Sequence, residues 1–441
     1  GDWSSDVCSS DLGNTLAIVL LVVGLVVGAG AGYMLKPTPE VGEGGETIVE
    51  VVTAPLEGKT IQIGYISSTT AGLETTTPLV QDILMPDYNA YAAKLDMDVD
   101  FDYLIDDATG QAAVHLEKVQ GFKSMDINVF MGGGWSSHAQ AALSYCNDND
   151  MLMWSSSSTS PLLAIDDDNL YRMCPDDTIQ APAIAAMLKA HGIEAVIVLQ
   201  RGDAWADGIY NYFEPAYTSA GGVIIEKIRY AGEATEFSNY LQTAEDLVAD
   251  AIAEYGVGHV GFEIISFSES VVMVTQAVDY PSIYSVTWFG SDGTTLSQQH
   301  CDDAPEQTVQ VRLHSTYAAP AESEKFNDLY DRYFGLVSQP FGYYSACSYD
   351  IGWILTESIL NSQSVDATIL IPIQHDTAFN NFGASGWNRL NVAGDRYSTN
   401  YQIWSYRMEG ADCKPYVSGL YDAISGVVTW YTAEMGYTPA A

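Results

Sequence analysis

Two short clusters of small, hydroxyl-bearing residues are the part of this chain best suited to chemistry: G-G-G-W-S-S-H over 132–138 and W-S-S-S-S-T-S-P over 154–161. Ser and Thr hydroxyls, together with the backbone N–H groups that glycine-rich turns leave open, are donors suited to an anionic oxygen. Where such a loop runs into a helix, the helix N-terminus adds unpaired N–H groups and a partial positive charge. Two such loops side by side could grip a carboxylate; on the residues alone, the alternative is that both are flexible connectors. They do not read as catalytic apparatus. No G-x-S-x-G elbow precedes a helix, C-x-x-C and H-E-x-x-H do not occur, and none of the seven His has a recognisable nucleophile partner. His138 falls in the first turn of a predicted helix, where a lone His is ordinarily solvated or hydrogen-bonded. The run His300-Cys301-Asp302-Asp303 has metal-capable types, but adjacent residues seldom share one ion, so neither a metal nor another cofactor is expected. Residues 166–168, three aspartates, read as a surface turn.

The elements that must position these loops are legible on both sides. Apolar runs at 128–131 and 151–154 each stop at a hydroxyl cluster, and Ala139, Ala141, Ala142 and Leu143 between them carry a helical spacing. Upstream, I-Q-I-G-Y-I predicts a strand over 60–66, ending in the loop S-S-T-T-A-G-L-E-T-T-T. A helix follows through Tyr88, Tyr91, Ala92 and Leu95, then a strand over 99–105 and a helix over 111–122. This βαβαβαβ order predicts a doubly wound parallel sheet, with ligands at the carboxyl ends of the strands. The scheme repeats: strands at 195–199, 223–229, 259–265 and 286–290, helices at 209–220 and about 241–255. Residues 312–317, a helix at 325–334, an apolar helix at 343–359, a Gly-punctuated hairpin-like passage at 382–400 and an alternating strand at 401–406 complete the chain.

At 441 residues, two domains are expected, and 47% hydrophobic residues suffice for two cores. The net charge of −40, from 57 acidic against 17 basic residues, argues against nucleic acid as a partner and fits an exposed protein in salty water. Residues 12–35 carry no charge and are long enough to span a bilayer at about 1.5 Å per residue, so a membrane anchor is expected, with a cleavable signal peptide as the alternative. Residues 1–12, G-D-W-S-S-D-V-C-S-S-D-L, read as the in-frame translation of a sequencing adapter and are set aside from the fold. Pro37, Pro39, Pro55 and a G-E-G-G run make 37–58 a tether. Of the remaining Cys, Cys347 in an apolar helix reads as a small buried hydrophobe, and Cys301 with Cys413 is the pairing expected outside the cell.

With these segments in order, residues 59–406 resemble the type I periplasmic solute-binding proteins, in particular the branch that takes branched-chain amino acids and amides. The resemblance is carried by I-Q-I-G-Y-I, Y-L-I-D-D-A-T-G-Q (103–111), the two hydroxyl loops, Y-R-M-C-P-D-D-T-I-Q-A (171–181), S-Y-D (348–350), and G-A-S-G with A-G-D-R near the end. It implies two α/β lobes joined by three hinge crossings, near 177–181, 314–317 and 395–401. Lobe 1 would then comprise 59–180 and 316–398, and lobe 2 would comprise 181–315 and 399–441.

The resemblance also implies a ligand set. Ser136, Ser157 and Thr159 match the positions that take an amino acid's carboxylate, Asp292 the acidic residue that pairs with its ammonium, and Trp205 the aromatic that closes over the ligand. Phe267 or Ser266 matches a further wall position of the second lobe. Read without the family, Asp292 caps a turn before Gly293 and Trp205 is ordinary core. Trp135 beside the first loop, and Ser157 where relatives carry a small apolar residue, depart from the pattern and alter pocket size and polarity. Glu74 in the opening loop is a candidate for a cationic or amide group. The function implied is a non-enzymatic, extracytoplasmic receptor, at the cell surface or in the periplasm, that delivers an amino acid, or an amide such as urea, to an ABC permease. A sensor signalling to another partner, and a hydrolase using the serine loops, are the alternatives.

Overall fold

The computed structural model describes residues 55–339 and 341–439. The segments expected as adapter translation and membrane anchor, and all of the tether before Pro55, lie outside the described residues. Among those described, no helix is long and apolar enough to cross a membrane.

Two sheets organise the molecule. The first runs β2-β1-β3-β4-β5, all parallel, from β1 (Lys59–Ser67), β2 (Val99–Asp107), β3 (Val129–Met131), β4 (Leu152–Ser155) and β5 (Leu170–Arg172). Alternate residues of these strands enter different cores: Val129, Met131, Leu152 and Trp154 pack on one face, Phe130, Met151 and Met153 on the other. A parallel sheet covered on both faces needs such runs without polar relief. The second sheet places β6 (Ala195–Gly202), β7 (Val223–Ala231), β8 (Val260–Ile265), β9 (Thr287–Gly290) and β10 (His314–Ala318) in the parallel order β7-β6-β8-β9-β10. β11 (Tyr401–Glu409), β12 (Asp412–Asp422) and β13 (Val427–Trp430) extend it antiparallel. It too is cored on both faces.

Several local expectations are revised. Residues 314–317, expected as a crossing, are β10, hydrogen-bonded between β9 and β11, so the chain leaves the second sheet only after Ala318. Residues 177–181 are the first turns of a helix, Asp177–Ala190, capped by Asp176, whose carboxylate accepts from Thr178 N at 2.9 Å. The opening loop after β1 is itself a helix, Thr70–Pro78, capped by the Thr69 hydroxyl. The passage at 382–396 makes only two isolated bridges of its own, Phe382 with Trp387 and Leu390 with Arg396.

The motifs that carried the resemblance build the framework of the first lobe. Asp350 of S-Y-D accepts from the backbone N–H groups of Ala384 (2.7 Å) and Ser385 (2.8 Å); a Cβ on Gly383 would lie 2.1 Å from that carboxylate, so only glycine fits there. Asp395 of A-G-D-R takes a bidentate pair from fully buried Arg172 at 2.5 and 2.7 Å. Cys301 and Cys413 form a disulfide between helix Gln298–Asp303 and β12, and Cys347 is buried and free.

Candidate ligand-binding cleft

Both hydroxyl loops emerge at the carboxyl ends of adjacent strands, β3 and β4, and are fastened to each other. Ser136 opens helix Ser136–Asp148, and its Oγ accepts from Ser160 N at 3.1 Å, which leaves its own proton free to donate. The Ser157 hydroxyl is already engaged, donating to Gly134 O at 2.8 Å, so its remaining capacity is as an acceptor. Thr159 is 2% exposed, and its Oγ1 has no partner among the described residues. The second loop takes its shape from Arg172, which donates from Nη1 to Ser158 O (3.0 Å) and Ser160 O (2.8 Å). Gly133, at φ +62°, makes the turn into the helix; a Cβ there would fall 2.9 Å from that of Ala139.

Trp205 and Phe267 come from the second lobe. Asp203 caps helix Ala204–Ser219, accepting from Ala206 N at 3.0 Å, and this sets Trp205 in its first turn. Phe267 follows β8. Its ring stacks on Trp205 at 4.2 Å and, on its other face, on Trp135 of the first lobe at 4.9 Å. Trp135 stacks in turn on His138 at 5.0 Å, and His138 on His115 at 5.4 Å. A column of five rings thus runs from one lobe into the other. The Arg201 guanidinium, held by Asp203 and Glu269, lies 5.3 Å from the Phe267 ring. His138 is not solvated: it is fully buried, and burial lowers its pKa to about 4 against an opposing contact with the Gly110 backbone. Burial lowers His115 to about 3, and its neutral Nε2 accepts from Gly133 N at 2.8 Å, bracing the first loop from behind.

Asp292 sits in a short turn after β9, against Gly293, where a Cβ would meet Ser266 O at 2.3 Å and Trp205 at 2.8 Å. Tyr344 donates to its Oδ2 at 2.5 Å, while Oδ1 is buried without a partner. A second carboxylate, unforeseen in the sequence, stands near it. Asp177 is fully buried, its N–H donates to Thr159 O at 2.8 Å, and neither carboxylate oxygen has a partner. One turn on, Gln180 donates to the carbonyl and hydroxyl of Thr316, and Thr295 Oγ1, just after the Asp292 turn, reaches the same carbonyl. Thr316 therefore ties the two acidic segments together. Burial, and then the neighbouring Asp292 charge, push the Asp177 carboxyl well above the usual carboxylate range; burial also raises Asp292, against the opposing Tyr344 hydrogen bond.

A cavity of about 250 Å³ opens beside the loops, between them, the helix after β1 and helix Tyr343–Ser362. Trp135, Ser157 and Tyr344 line it; Glu74 does not, and is exposed on the helix after β1. Tyr65, Tyr333 and Tyr344 were missed because each lies in an apolar-patterned element where a tyrosine reads as core. The doubled Y-Y opening a helix was the one available signal. Among the described residues, no group of three or more His, Cys, Asp or Glu is arranged to hold a metal ion.

Two α/β lobes with facing loops at the strand ends define a binding protein of the two-lobed periplasmic class. A model of the periplasmic binding protein family matches residues 60–388, and the chain belongs to that family. An uncharacterised protein of Methanocaldococcus jannaschii is 26% identical over 394 residues, covering 84% of this chain and 91% of its own. Among solved structures, an ABC transporter substrate-binding protein from Desulfitobacterium hafniense in complex with Leu aligns with a TM-score of 0.62 at 18% identity, over 81% of this chain and 100% of its own. The branched-chain amino acid transporter substrate-binding protein LivJ of Streptococcus pneumoniae, in complex with isoleucine, gives 0.63 at 15% identity, over 81% and 99%. At these identities the two structures establish the shared fold.

Proposed function

We propose that this chain is an extracytoplasmic receptor, held at the membrane by its N-terminal apolar segment, that captures a small α-amino acid between its lobes for an ABC permease. The observation that carries the reading is the dipolar character of the cleft. On one side stands the Ser136 hydroxyl at a helix start, its proton not used within the loops; on the other stand Asp177 and Asp292, neither of them in a salt bridge with a described residue, with Thr159 between the two sides. Two buried carboxylates without a counter-ion are costly, and an arriving ammonium relieves both at once. Thr159 touches both halves of the site, since its carbonyl takes the Asp177 N–H. In this reading the carboxylate docks on the first lobe, the ammonium on Asp292 with Asp177 behind it, and Trp205 and Phe267 close from the second lobe, so that closed and open forms differ in their fit to a permease. The solved leucine and isoleucine complexes of the same fold support the ligand class, and the part those proteins play as transporter substrate-binding components supports the permease.

A thermal-shift screen of the full chain against amino acids, urea and short amides tests this. At ligand about 100-fold above its dissociation constant, an amino acid is expected to add roughly 2.7 kcal/mol to unfolding free energy. Stabilisation by urea or acetamide, with none by any amino acid, would refute the proposal.

A further inference from the structure

The cavity beside the two loops has a lining out of keeping with an aliphatic ligand. Twelve of its twenty lining residues carry a hydroxyl, from Ser, Thr or Tyr, and none carries a charge. Ser68, Ser156 and Ser345, all half-buried in the wall, make no side-chain hydrogen bond to another described residue, and the Tyr65 hydroxyl has a long 3.5 Å contact with Ser348. The apolar side chains of the lining are Ile66, Leu79, Met131, Trp135 and Trp154. The cavity adjoins the charged end of the site without containing it: Tyr344 lines the wall and donates a hydrogen bond to Asp292, and Ser157 lines the wall and donates to Gly134 O.

We infer, building on the amino acid reading above, that this cavity receives the ligand's side chain and selects one that is uncharged and hydrogen-bonding, of the carboxamide or hydroxyl kind, over branched aliphatic and acidic ones. Methyl groups laid against these hydroxyls would strip them of water and return no hydrogen bond. A site built around polar partners discriminates far more strongly against an analogue lacking them than an apolar pocket does against an extra methyl. A carboxylate side chain is refused for a different reason, since no cation lines the cavity to offset its desolvation. A short methylene stem on the apolar wall and a neutral polar tip among the hydroxyls satisfy both surfaces.

Calorimetry on the full chain with shape-matched pairs tests this: threonine against valine, asparagine against leucine, glutamine against glutamate. At least one polar neutral member is expected to bind about tenfold or more tighter than its partner. Valine, leucine and glutamate each binding as tightly as its match would overturn the inference and leave the amino acid reading standing. Binding by no amino acid at millimolar concentration would overturn both. Ser345→Ala, which breaks no internal side-chain hydrogen bond of the protein, is expected to weaken the preferred ligand about fivefold, the effect of one lost neutral hydrogen bond. Unchanged affinity in a variant with wild-type melting would count against this use of the cavity.

Discussion

Glu263 shows how far burial alone can move a residue's chemistry. It lies on β8, fully buried, between Val198 and Phe289 on the neighbouring strands, and neither carboxylate oxygen finds a partner. Desolvation raises its pKa well above the unfolded value near 4.5, so the folded protein holds a proton there that the unfolded chain releases. The sign follows: this contribution to stability is complete below about pH 4.5 and is lost as pH climbs toward the folded pKa. Glu263→Gln removes the titration and keeps the shape. It is expected to gain on the wild type by up to about 1.4 kcal/mol per pH unit until the folded pKa is passed, measured by denaturant unfolding from about pH 6.5 upward. The buried histidines do not confuse that range, because His115, His138, His191 and His300 have lowered pKa values and their contributions change only as pH falls below about 6.5. Parallel curves for the two proteins would contradict the assignment. At this scale the sequence was readable where a residue's job is local, as for Ser136 at a helix start. It was opaque where the partner is distant: Tyr344 meets Asp292 across 52 residues, and nothing in the alternation around Asp177 marks it as buried without a counter-ion.

At the scale of elements, the ring column joins the lobes across the cleft, together with the Tyr344–Asp292 hydrogen bond and that of Ser160 Oγ to Ala204 O. Phe267 contributes two stacked pairs, each worth roughly 0.5–1.5 kcal/mol beyond its buried area. Phe267→Ala is therefore expected to shift the molecule toward an open form, with a larger radius of gyration in solution scattering and about tenfold weaker ligand binding. Scattering and affinity both at wild-type values would show that closure does not depend on the column. Most strands of both sheets, β5 and β13 excepted, were legible because apolar runs such as those of β3 and β4 end sharply at turn residues. β12 was not: Pro415 and Gly419 look like loop punctuation in D-C-K-P-Y-V-S-G-L-Y-D. The structure explains their tolerance, since β13 pairs only with residues 419–422 and leaves Pro415 on an open edge. The expected crossing at 314–317 went astray for a related reason. A short strand whose chain must next leave the sheet carries the same residues as a hinge, and only pairing with β11, drawn from some ninety residues away, decides it.

For the whole molecule, the covalent and electrostatic arrangements are separable. The Cys301–Cys413 bridge closes a separation of 112 residues and fastens the antiparallel extension of the second sheet to a helix of the same lobe. Replacing both cysteines by serine is expected to cost roughly 3–5 kcal/mol of stability in denaturant unfolding while leaving ligand affinity unchanged. A loss of affinity of comparable size would mean that the bridge also shapes the cleft. Most acidic side chains of the described residues are exposed or half-buried, and the two that matter to the central claim are Asp177 and Asp292 in the cleft. The direct test is calorimetry of the best-binding amino acid with wild type and Asp292→Asn. If the ligand's ammonium rests on that carboxylate, affinity is expected to fall at least about tenfold, the loss of a charge-assisted hydrogen bond of roughly 1.5–3 kcal/mol. An unchanged dissociation constant in a variant that melts like the wild type would contradict the account.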